Sequence, residues 1–438
     1  MQHSYDGLDR AGGYSWVNPL APLRHRDFRR LWIGMTASLV GDGIFLVAMA
    51  WQVYELSNAP AALSMVGIAM TIPTIVLLLF GGAVSDRVER RRVLIGSDIV
   101  RGAAVAAMAA LSLTGQLELW HMMLLVAAYG AGTAFFGPAF DAIVPDLLPE
   151  SELAKANALD QFVRPVAFRL AGPMLGGWMI AGFGVGTAFA LDGLSFAVSA
   201  IAALSMRPLP ARQATGGSML REIAAGLAFV RANVWIWGTL VSAAFAYLLF
   251  LGPTEVLLPF VVKNDLGGSA GDLGMVFAAG GLGSVLCAVA MGTRGSPRRP
   301  ILFIYATWTV ATVAVSGYGI AAAPWQLMAA SFVFNALETA GTIVWVTTKQ
   351  LHLPSALLGR VSSLDWLISI GLLPLSFALT GPVAGAIGAQ ETLIVAGLAG
   401  AAATVAALCL PGMRDLDRRP ALQPAELPAR PAAARRAA

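Results

Sequence analysis

The sequence has few charged residues, few cysteines and few histidines. Only 12% of its 438 residues are charged, and 57% are hydrophobic. Soluble proteins carry about twice that share of charge. Both cysteines lie inside apolar runs, and no group of His and Cys has metal-ligand spacing, so we expect neither a disulfide nor a metal site. The chain also lacks a phosphate-binding Gly-Lys-Ser or Gly-Lys-Thr loop and a serine nucleophile motif. These absences argue against an enzyme and against ATP-driven pumping by this chain, and no cofactor is expected.

Long apolar runs dominate the sequence instead. Mean hydropathy is +0.71, and each run is long enough to cross a hydrocarbon layer about 30 Å thick. The runs cover 31–54, 61–84, 93–114, 119–144, 162–183 and 185–206, followed by 234–262, 272–292, 301–322, 325–348, 362–388 and 391–410. We therefore predict an all-α membrane protein with twelve transmembrane helices.

The basic residues are distributed unevenly between the two ends of these runs. A cytoplasmic amino terminus puts every Lys and Arg outside the runs on the cytoplasmic side, apart from Lys263. The first thirty residues have no apolar core, so we expect no cleavable signal peptide. The prediction is a multi-pass protein of the cell membrane, in contact with lipid, with both termini cytoplasmic. The net charge of +4 then implies no nucleic-acid partner.

The first six runs and the last six share sequence landmarks. A Gly-Pro motif in the fifth run recurs 209 residues later in the eleventh, and the link that begins at Gly82 is echoed 210 residues later. The motif consists of Gly172, Pro173, Gly176 and Gly177 in the first copy and of Gly381, Pro382 and Gly385 in the second. Two nearly equal offsets predict two pseudo-symmetric bundles of six helices, related by an axis along the membrane normal.

These landmarks divide the chain into five segments. We expect a cytoplasmic segment at 1–30, an amino-terminal bundle at 31–206, a cytoplasmic linker with an amphipathic helix at 207–233, a carboxy-terminal bundle at 234–410 and a disordered cytoplasmic tail at 411–438. The linker helix is predicted because Leu220, Ile223, Leu227 and Val230 recur at helical spacing. The tail is rich in Arg, Pro and Ala and has no apolar periodicity.

The link after the second run carries a charged motif. Gly82, Asp86, Arg87, Arg90 and Arg91 match the pattern Gly, x, Leu, x, Asp, Arg, x, Gly, Arg, Arg, with Val and Glu in place of the Leu and the second Gly. With this motif the chain resembles the major facilitator superfamily from about residue 20 to 411. Stretches at Gly41-Asp42-Gly43, 138–149, 153–158 and 359–363 are similar to the branch that contains the bacterial enterobactin exporter and multidrug-efflux pumps.

The resemblance implies a proton-driven antiporter that expels drugs or metabolites by alternating access. Its expected partners are a small-molecule substrate and protons, and we expect a monomer. Many drug-proton antiporters of the superfamily carry an Arg in the fourth helix, but the run 119–144 has none. Two alternatives stay open. The chain could be a dedicated siderophore or metabolite exporter, or a lipid-moving or sensor protein on the same fold.

Asp42 and Glu338 are the candidate proton-coupling residues. Asp42 lies about eleven residues into the first run, and Glu338 is the corresponding acid that we expect in the other half. A carboxylate near the middle of a membrane is costly unless it is paired, hydrated or protonated. Phe45, Met49 and Gln52 recur on the face of Asp42, and the resemblance places the first, fourth, seventh and tenth helices around the cavity. The alternative for Asp42 is a packing role, bonded to a neighbouring Ser or Thr.

Other polar residues of the cavity are expected on three helices. Asn335 and Thr342 neighbour Glu338, and Glu255 in the seventh run faces either the cavity or the interface. Arg169 in the fifth run needs a buried ion pair, a hydrated cavity or an anionic substrate group.

We expect Asp98 and Arg101 to pair on one helix face. Asp192 and Asp365 lie near the ends of runs and are expected to be structural.

The charged link and the Gly-Pro motif are expected to control conformational change. The resemblance implies that Asp86 faces the start of the eleventh helix, while Arg90 could pair with Asp141. Gly82, Arg87 and Arg91 complete this gate, although a basic link also orients membrane insertion. The glycines of the Gly-Pro motif permit a bend or a close approach of helices. The resemblance implies that this motif marks antiporters.

Overall fold

Twelve helices long and apolar enough to span a membrane make up the described part of the chain. The computed structural model describes residues 20–208, 227–294, 297–353, 361, 364–365 and 367–418. The first six spans are α1 (Arg26–Leu56), α2 (Pro60–Arg87), α3 (Arg90–Leu113), α4 (Leu119–Leu147), α5, and α6 (Val185–Leu204). Helix α5 runs without interruption through Glu150–Arg164, a π-helical segment Pro165–Ala171 and Gly172–Phe183.

The last six spans repeat this plan. They are α7 (Val234–Phe260, extended by the π-helical segment Val261–Asp265), α8 (Ala270–Arg294), α9 (Pro300–Gly319), α10 (Pro324–His352), α11 (Leu373–Ile387, within a span from Leu367) and α12 (Ala389–Leu408). Proline starts α2, α9 and α10, where its missing N–H has no helical acceptor in any case. Gly184 and Gly388, at φ +83° and +96°, are the single residues between α5 and α6 and between α11 and α12.

The packing of the helices confirms the two pseudo-symmetric bundles. Helix α1 packs on α5 and α6, α2 on α4, and α3 on α4 and α6; α7 packs on α11 and α12, α8 on α10, and α9 on α10 and α12. Each contact in the first half therefore has its equivalent six helices later. The two interfaces between the halves are also equivalent, because α5 packs on α8 and α11 packs on α2.

The hydrophobic core is continuous at one end of the molecule and divided at the other. At the end where α1 finishes, here called the closed end, one cluster of buried residues draws on both halves. At the end where α1 begins, here called the open end, the described core forms two clusters, one within each half. A cleft between the halves therefore faces the open end, where both described chain ends lie.

Several sequence-based boundaries need correction. Helix α5 begins at Glu150 rather than near 162, because an amphipathic stretch precedes its apolar run. The predicted tail at 411–438 begins with ordered residues: Met413 is fully buried, and Asp417 accepts hydrogen bonds from the amides of Ile301 and Leu302 at 2.8 and 2.9 Å. Asp417 thus caps α9, whose first amides would otherwise lack acceptors. The linker helix falls mostly on residues 209–226, outside the described residues.

Candidate functional site

Arg169 marks the cleft between the halves. It lies halfway along α5 yet is exposed, and its Nη1 donates a hydrogen bond to Oδ1 of Asn335 on α10 at 2.9 Å. An exposed arginine at this depth requires water or a polar partner. Its neutral partner belongs to the opposite half, so the arrangement differs from the buried ion pair that the sequence allowed.

Two acids of the second half lie near this bond. The charge of Arg169 acts on half-buried Glu255 of α7, and both Arg169 and Glu338 act on Tyr247 of α7. Glu338 lines a pocket with Tyr247 and the rings of Phe250, Trp308 and Phe334, and Thr342 donates a hydrogen bond to its Oε1 at 3.0 Å. The cleft group of Arg169, Glu255, Asn335, Glu338 and Tyr247 therefore combines charge, amide and aromatic surface.

Asp42 belongs to a second group, buried within the first half. The hydroxyl of Tyr129 on α4 donates to its Oδ1 at 2.5 Å, and Nη1 of Arg101 on α3 lies 3.8 Å from its Oδ2. Arg101 also bonds Asp98 at 2.6 Å, which confirms the predicted pair on α3. The sequence analysis left open a bond from a Ser or Thr to Asp42. In the structure the bond comes from Tyr129. We call Asp42, Asp98, Arg101, Tyr129 and Asp192 the charge cluster.

Arg101 of α3 packs against α4, the helix that has no arginine of its own. A Cβ built on Gly132 of α4 would lie 2.8 Å from the Arg101 side chain, so only glycine leaves room for it there. The guanidinium is 4.3 Å from the ring of Phe136 and 4.5 Å from that of Phe196. Sequence reasoning missed the packing of Arg101 against Gly132 because the arginine and the glycine lie on different helices.

The other residues predicted around Asp42 do not reach the cleft. Phe45 is 3% exposed and stacks on Tyr129 with ring centroids 4.6 Å apart. Met49 and Gln52 are also buried, and Gln52 accepts a hydrogen bond from Ser112 of α3 at 2.8 Å. Their shared face packs against the first half's own helices, so the predicted cavity lining is core in this conformation.

Two further expectations about acids need correction. Asp192 is fully buried seven residues into α6, not at a helix end. Glu338 lies 209 residues after Tyr129, whereas 209 residues after Asp42 stands Leu251. By the offset of the repeat, Glu338 is therefore equivalent to Tyr129 and not to Asp42. Asp365 accepts hydrogen bonds from Trp345 and Lys349, in keeping with its expected structural role.

The basic link between α2 and α3 makes contacts within the first half. Arg90 donates to the carbonyl oxygen of Ala142 at 2.9 Å and pairs with Asp146, so the predicted pairing with Asp141 is wrong. Asp141 and Asp146 are five residues apart, which turns them about 140° from each other around α4. Asp141 instead lines a cavity of about 240 Å³ together with Asp160.

The remaining gate residues are partly described. Arg91 donates to the carbonyl oxygen of Met206 at 2.7 Å, which ties the start of α3 to the end of α6. The helix at Gly82, Asp86 and Arg87 is described, but the surroundings of Gly82 and the side chains of Asp86 and Arg87 are not, so the predicted contact of Asp86 with the eleventh helix is not described either.

The Gly-Pro motif is a site of close helix approach. A Cβ on Gly172 would lie 2.6 Å from Cα of Gly43 on α1, and one on Gly177 would lie 2.7 Å from the carbonyl oxygen of Ala270 on α8. Gly176 faces Ile44 of α1, and Pro173 is buried beside it. The π-helical segment Pro165–Ala171 directly precedes the motif. In the second copy, Gly381 lies against Ala61 of α2, exposed Pro382 follows it, and Gly385 has open space around it.

The closed end carries contacts that the sequence did not predict. Lys263, in the π-helical extension of α7, donates to the carbonyl oxygen of Tyr54 at 2.5 Å and lies 5.4 Å from the ring of Trp51. The Tyr54 hydroxyl donates to the carbonyl oxygen of Val256 at 2.6 Å. We call Trp51, Tyr54, Val256 and Lys263 the latch. In the sequence, the latch was marked only by Lys263, the one basic residue outside the apolar runs that is not expected on the cytoplasmic side.

Comparison with known proteins decides the family. Residues 17–435 match the family described as transmembrane secretion effectors. The chain belongs to this family. It is a major facilitator transporter and not an enzyme, and its twelve spans make it a multi-pass membrane protein, as predicted.

Two relatives match most of the chain. The multidrug efflux pump Tap of Mycolicibacterium fortuitum is 30% identical over 407 residues, which cover 88% of this chain and 96% of Tap. Macrolide efflux protein A of Streptococcus pyogenes is 23% identical over 382 residues, 84% of this chain and 92% of that protein. A bacterial homologue of the iron transporter ferroportin, solved in an inward-facing state, has a TM-score of 0.66 at 15% identity, with 89% of this chain and 99% of that chain covered. At this identity the solved structure supports the fold alone.

Proposed function

We propose that the protein is a secondary active exporter of small amphipathic molecules that works by proton antiport and alternating access. The observation that carries this proposal is the cleft group, in which Arg169 of the first half bonds Asn335 of the second half, on the helix that also supplies Glu338 to a pocket with aromatic walls. The names of the relatives, a multidrug efflux pump and a macrolide efflux protein, support drugs as the substrate class.

The cleft favours amphipathic substrates with a basic group. Glu338 supplies a carboxylate beside four aromatic rings, and such rings attract cations at their faces. Macrolide antibiotics carry a basic amine, which is the kind of group that this carboxylate and these rings attract. Arg169, held by Asn335, adds a donor on the opposite wall of the cleft.

The contacts at the two ends support alternating access. The latch and the shared core hold the halves together at the closed end, and the two separate cores leave the open end free. Transport requires the reverse arrangement as well. The basic residues concentrate at the open end, which supports a cytoplasmic location for that end and for both termini. We infer that a monomer suffices, since the cleft group comes from one chain.

The test measures export and coupling separately. Purified protein in vesicles with an imposed pH gradient should drive movement of a labelled macrolide such as erythromycin. Asp42→Asn and Glu338→Gln should each reduce this movement at least tenfold, and Asp272→Asn should leave it unchanged, because Asp272 only caps α8 through Ser269. Unchanged gradient-driven transport by both acid variants would refute proton coupling through these residues. Transfer of lipid between leaflets without macrolide movement would instead favour the lipid-moving alternative.

A further inference from the structure

Asp192 of α6 is a buried carboxyl with one weak partner. It is fully buried, and Ser195 on the next turn donates to its Oδ1 at 3.2 Å. Its Oδ2 has no hydrogen-bond partner among the described residues. The backbone of α1 covers it, because any side chain at position 41 would collide with Asp192 and Ser195. Asp192 therefore packs against α1 at Gly41, the residue before Asp42.

The charge cluster holds more acids than bases. Helices α1, α3 and α5 pack against α6. The charge of Asp42 on α1 acts on Asp192, Asp98 and Arg101 come from α3, and Tyr129 on α4 interacts with both Asp42 and Asp192. The packed segment Gly172–Phe183 of α5 has no ionisable side chain. Three carboxyls thus share one guanidinium.

A second arginine does not balance the cluster. Arg164 of α5 acts on Asp42 from a distance, but its Nε is bonded to Asp160 at 2.7 Å. Because an uncompensated charge away from water is costly, a group with surplus carboxylates retains protons. Asp98 Oδ2 also lacks a partner among the described residues, but its Oδ1 lies 2.6 Å from the guanidinium of Arg101, and Asp42 accepts a hydrogen bond from Tyr129. Asp192 has the weakest support for a negative charge.

We propose that Asp192 is a second proton-binding carboxyl of the transport cycle. It carries a proton in the conformation described here and releases it when the cluster rearranges, with Asp42, whose side chain is 14% exposed, as the route to water. Arg101 is the positioning residue that holds Asp42 and Asp98 around it. This inference rests on the proposed proton antiport.

The first test counts protons. Vesicles containing a pH-sensitive dye report the protons moved per molecule of labelled erythromycin. Asp192→Asn, which imitates the protonated side chain, should transport with one proton fewer per substrate than the unaltered chain. Asp98→Asn should lower the rate without changing the proton count, because that carboxyl is fixed by Arg101. An unchanged proton count in Asp192→Asn would overturn the inference, whereas absence of proton movement in the unaltered protein would overturn the proposed function itself.

The second test does not depend on transport. The infrared spectrum of the purified protein should contain a carbonyl band from a protonated carboxylic acid. Asp192→Asn should remove one component of this band, and Asp192→Glu should shift that component while keeping it. Ser195→Ala is the matched control. It removes the hydroxyl partner and leaves the carboxyl in place, so the band component should shift but should not disappear. A band that neither Asp192 variant changes would show that Asp192 is ionised, and would overturn the inference even if both variants fold poorly enough to prevent transport.

Discussion

Removal of the latch lysine should shift the balance between the two conformations. Lys263 forms a hydrogen bond from a charged group to the carbonyl oxygen of Tyr54, a type of bond that contributes about 1.5–3 kcal/mol. Its contact with Trp51 adds about 0.5 kcal/mol, and ordering the long side chain offsets part of the total. The net contribution is about 1.5–2 kcal/mol. Since about 1.4 kcal/mol corresponds to a factor of ten, Lys263→Met should raise the ratio of opened to closed forms about 10- to 30-fold.

Electron-paramagnetic distance measurements can report this ratio directly. Spin labels at Asn58 and Trp325 lie at the closed end on opposite halves and are both exposed, and Cys287 and Cys409 are first replaced by serine. Lys263→Met should increase the population of long distances at the expense of short ones. Methionine keeps the unbranched apolar part of the lysine side chain, so Lys263→Met removes mainly the charge and its hydrogen bond.

Two comparisons make this result decisive. Tyr54→Phe removes only the bond to Val256 and should have a smaller effect in the same direction, about 1 kcal/mol. Lys155→Met changes the same residue type near the start of α5, at the opposite end, and should leave the distances unchanged. If the distance distribution of Lys263→Met equals that of Lys155→Met, the latch does not stabilise the closed end and the reasoning is wrong.

Three further substitutions test separate parts of the fold. Gly177→Val should push α5 from α8 and reduce export at least tenfold in a drug-resistance assay, because its Cβ meets backbone 2.7 Å away; Gly385→Val, with open space around it, should be tolerated. If the ion pair of Arg90 with Asp146 supports export, Arg90→Ala and Asp146→Asn should lower the transport rate to the same extent, and the double variant should lower it no further. Additive losses in transport rate would contradict this. Asp417→Ala should destabilise the carboxy-terminal half by about 1 kcal/mol, seen as a lower melting temperature with unchanged substrate affinity.

The spans were predictable from the sequence because they depend on local composition. The duplication and the family were predictable because short motifs recur along the chain or match a known pattern. Apolar runs and proline positions mark the helices, and the Gly-Pro motif marks a close approach that the structure shows at Gly172 and Gly43. Helical spacing put Asp42, Phe45 and Met49 on one face of α1, and the prediction assigned that face to the cavity. Periodicity cannot tell whether such a face meets a packed neighbour or a water-filled cleft, and the structure places it against α3, α4 and α6.

Contacts between distant helices were beyond sequence reasoning. Arg101 reaches Asp42 only because Gly132 on a third helix leaves space for it, and no spacing along the chain records this arrangement. Arg90 was assigned to the wrong aspartate because Asp141 and Asp146 lie within two turns of one helix, and only the rotation of α4 selects between them. The latch was missed for a related reason, since Lys263 acts on a backbone carbonyl, which has no sequence signature.

The repeat suggests why the two halves carry different chemistry. Tyr129 and Glu338 occupy equivalent positions on α4 and α10, and each points into its own half: Tyr129 bonds Asp42, whereas Glu338 lines a pocket between α7, α9, α10 and α12. One copy of this helix position thus serves the charge cluster and the other serves a pocket with aromatic walls. We therefore expect Tyr129→Phe to alter the pH dependence of transport while retaining the substrate range. Glu338→Gln should narrow the range to uncharged substrates, measured as resistance to paired neutral and cationic drugs. If Tyr129→Phe changed the ranking of those drugs and left the pH profile intact, this division between the halves would be wrong.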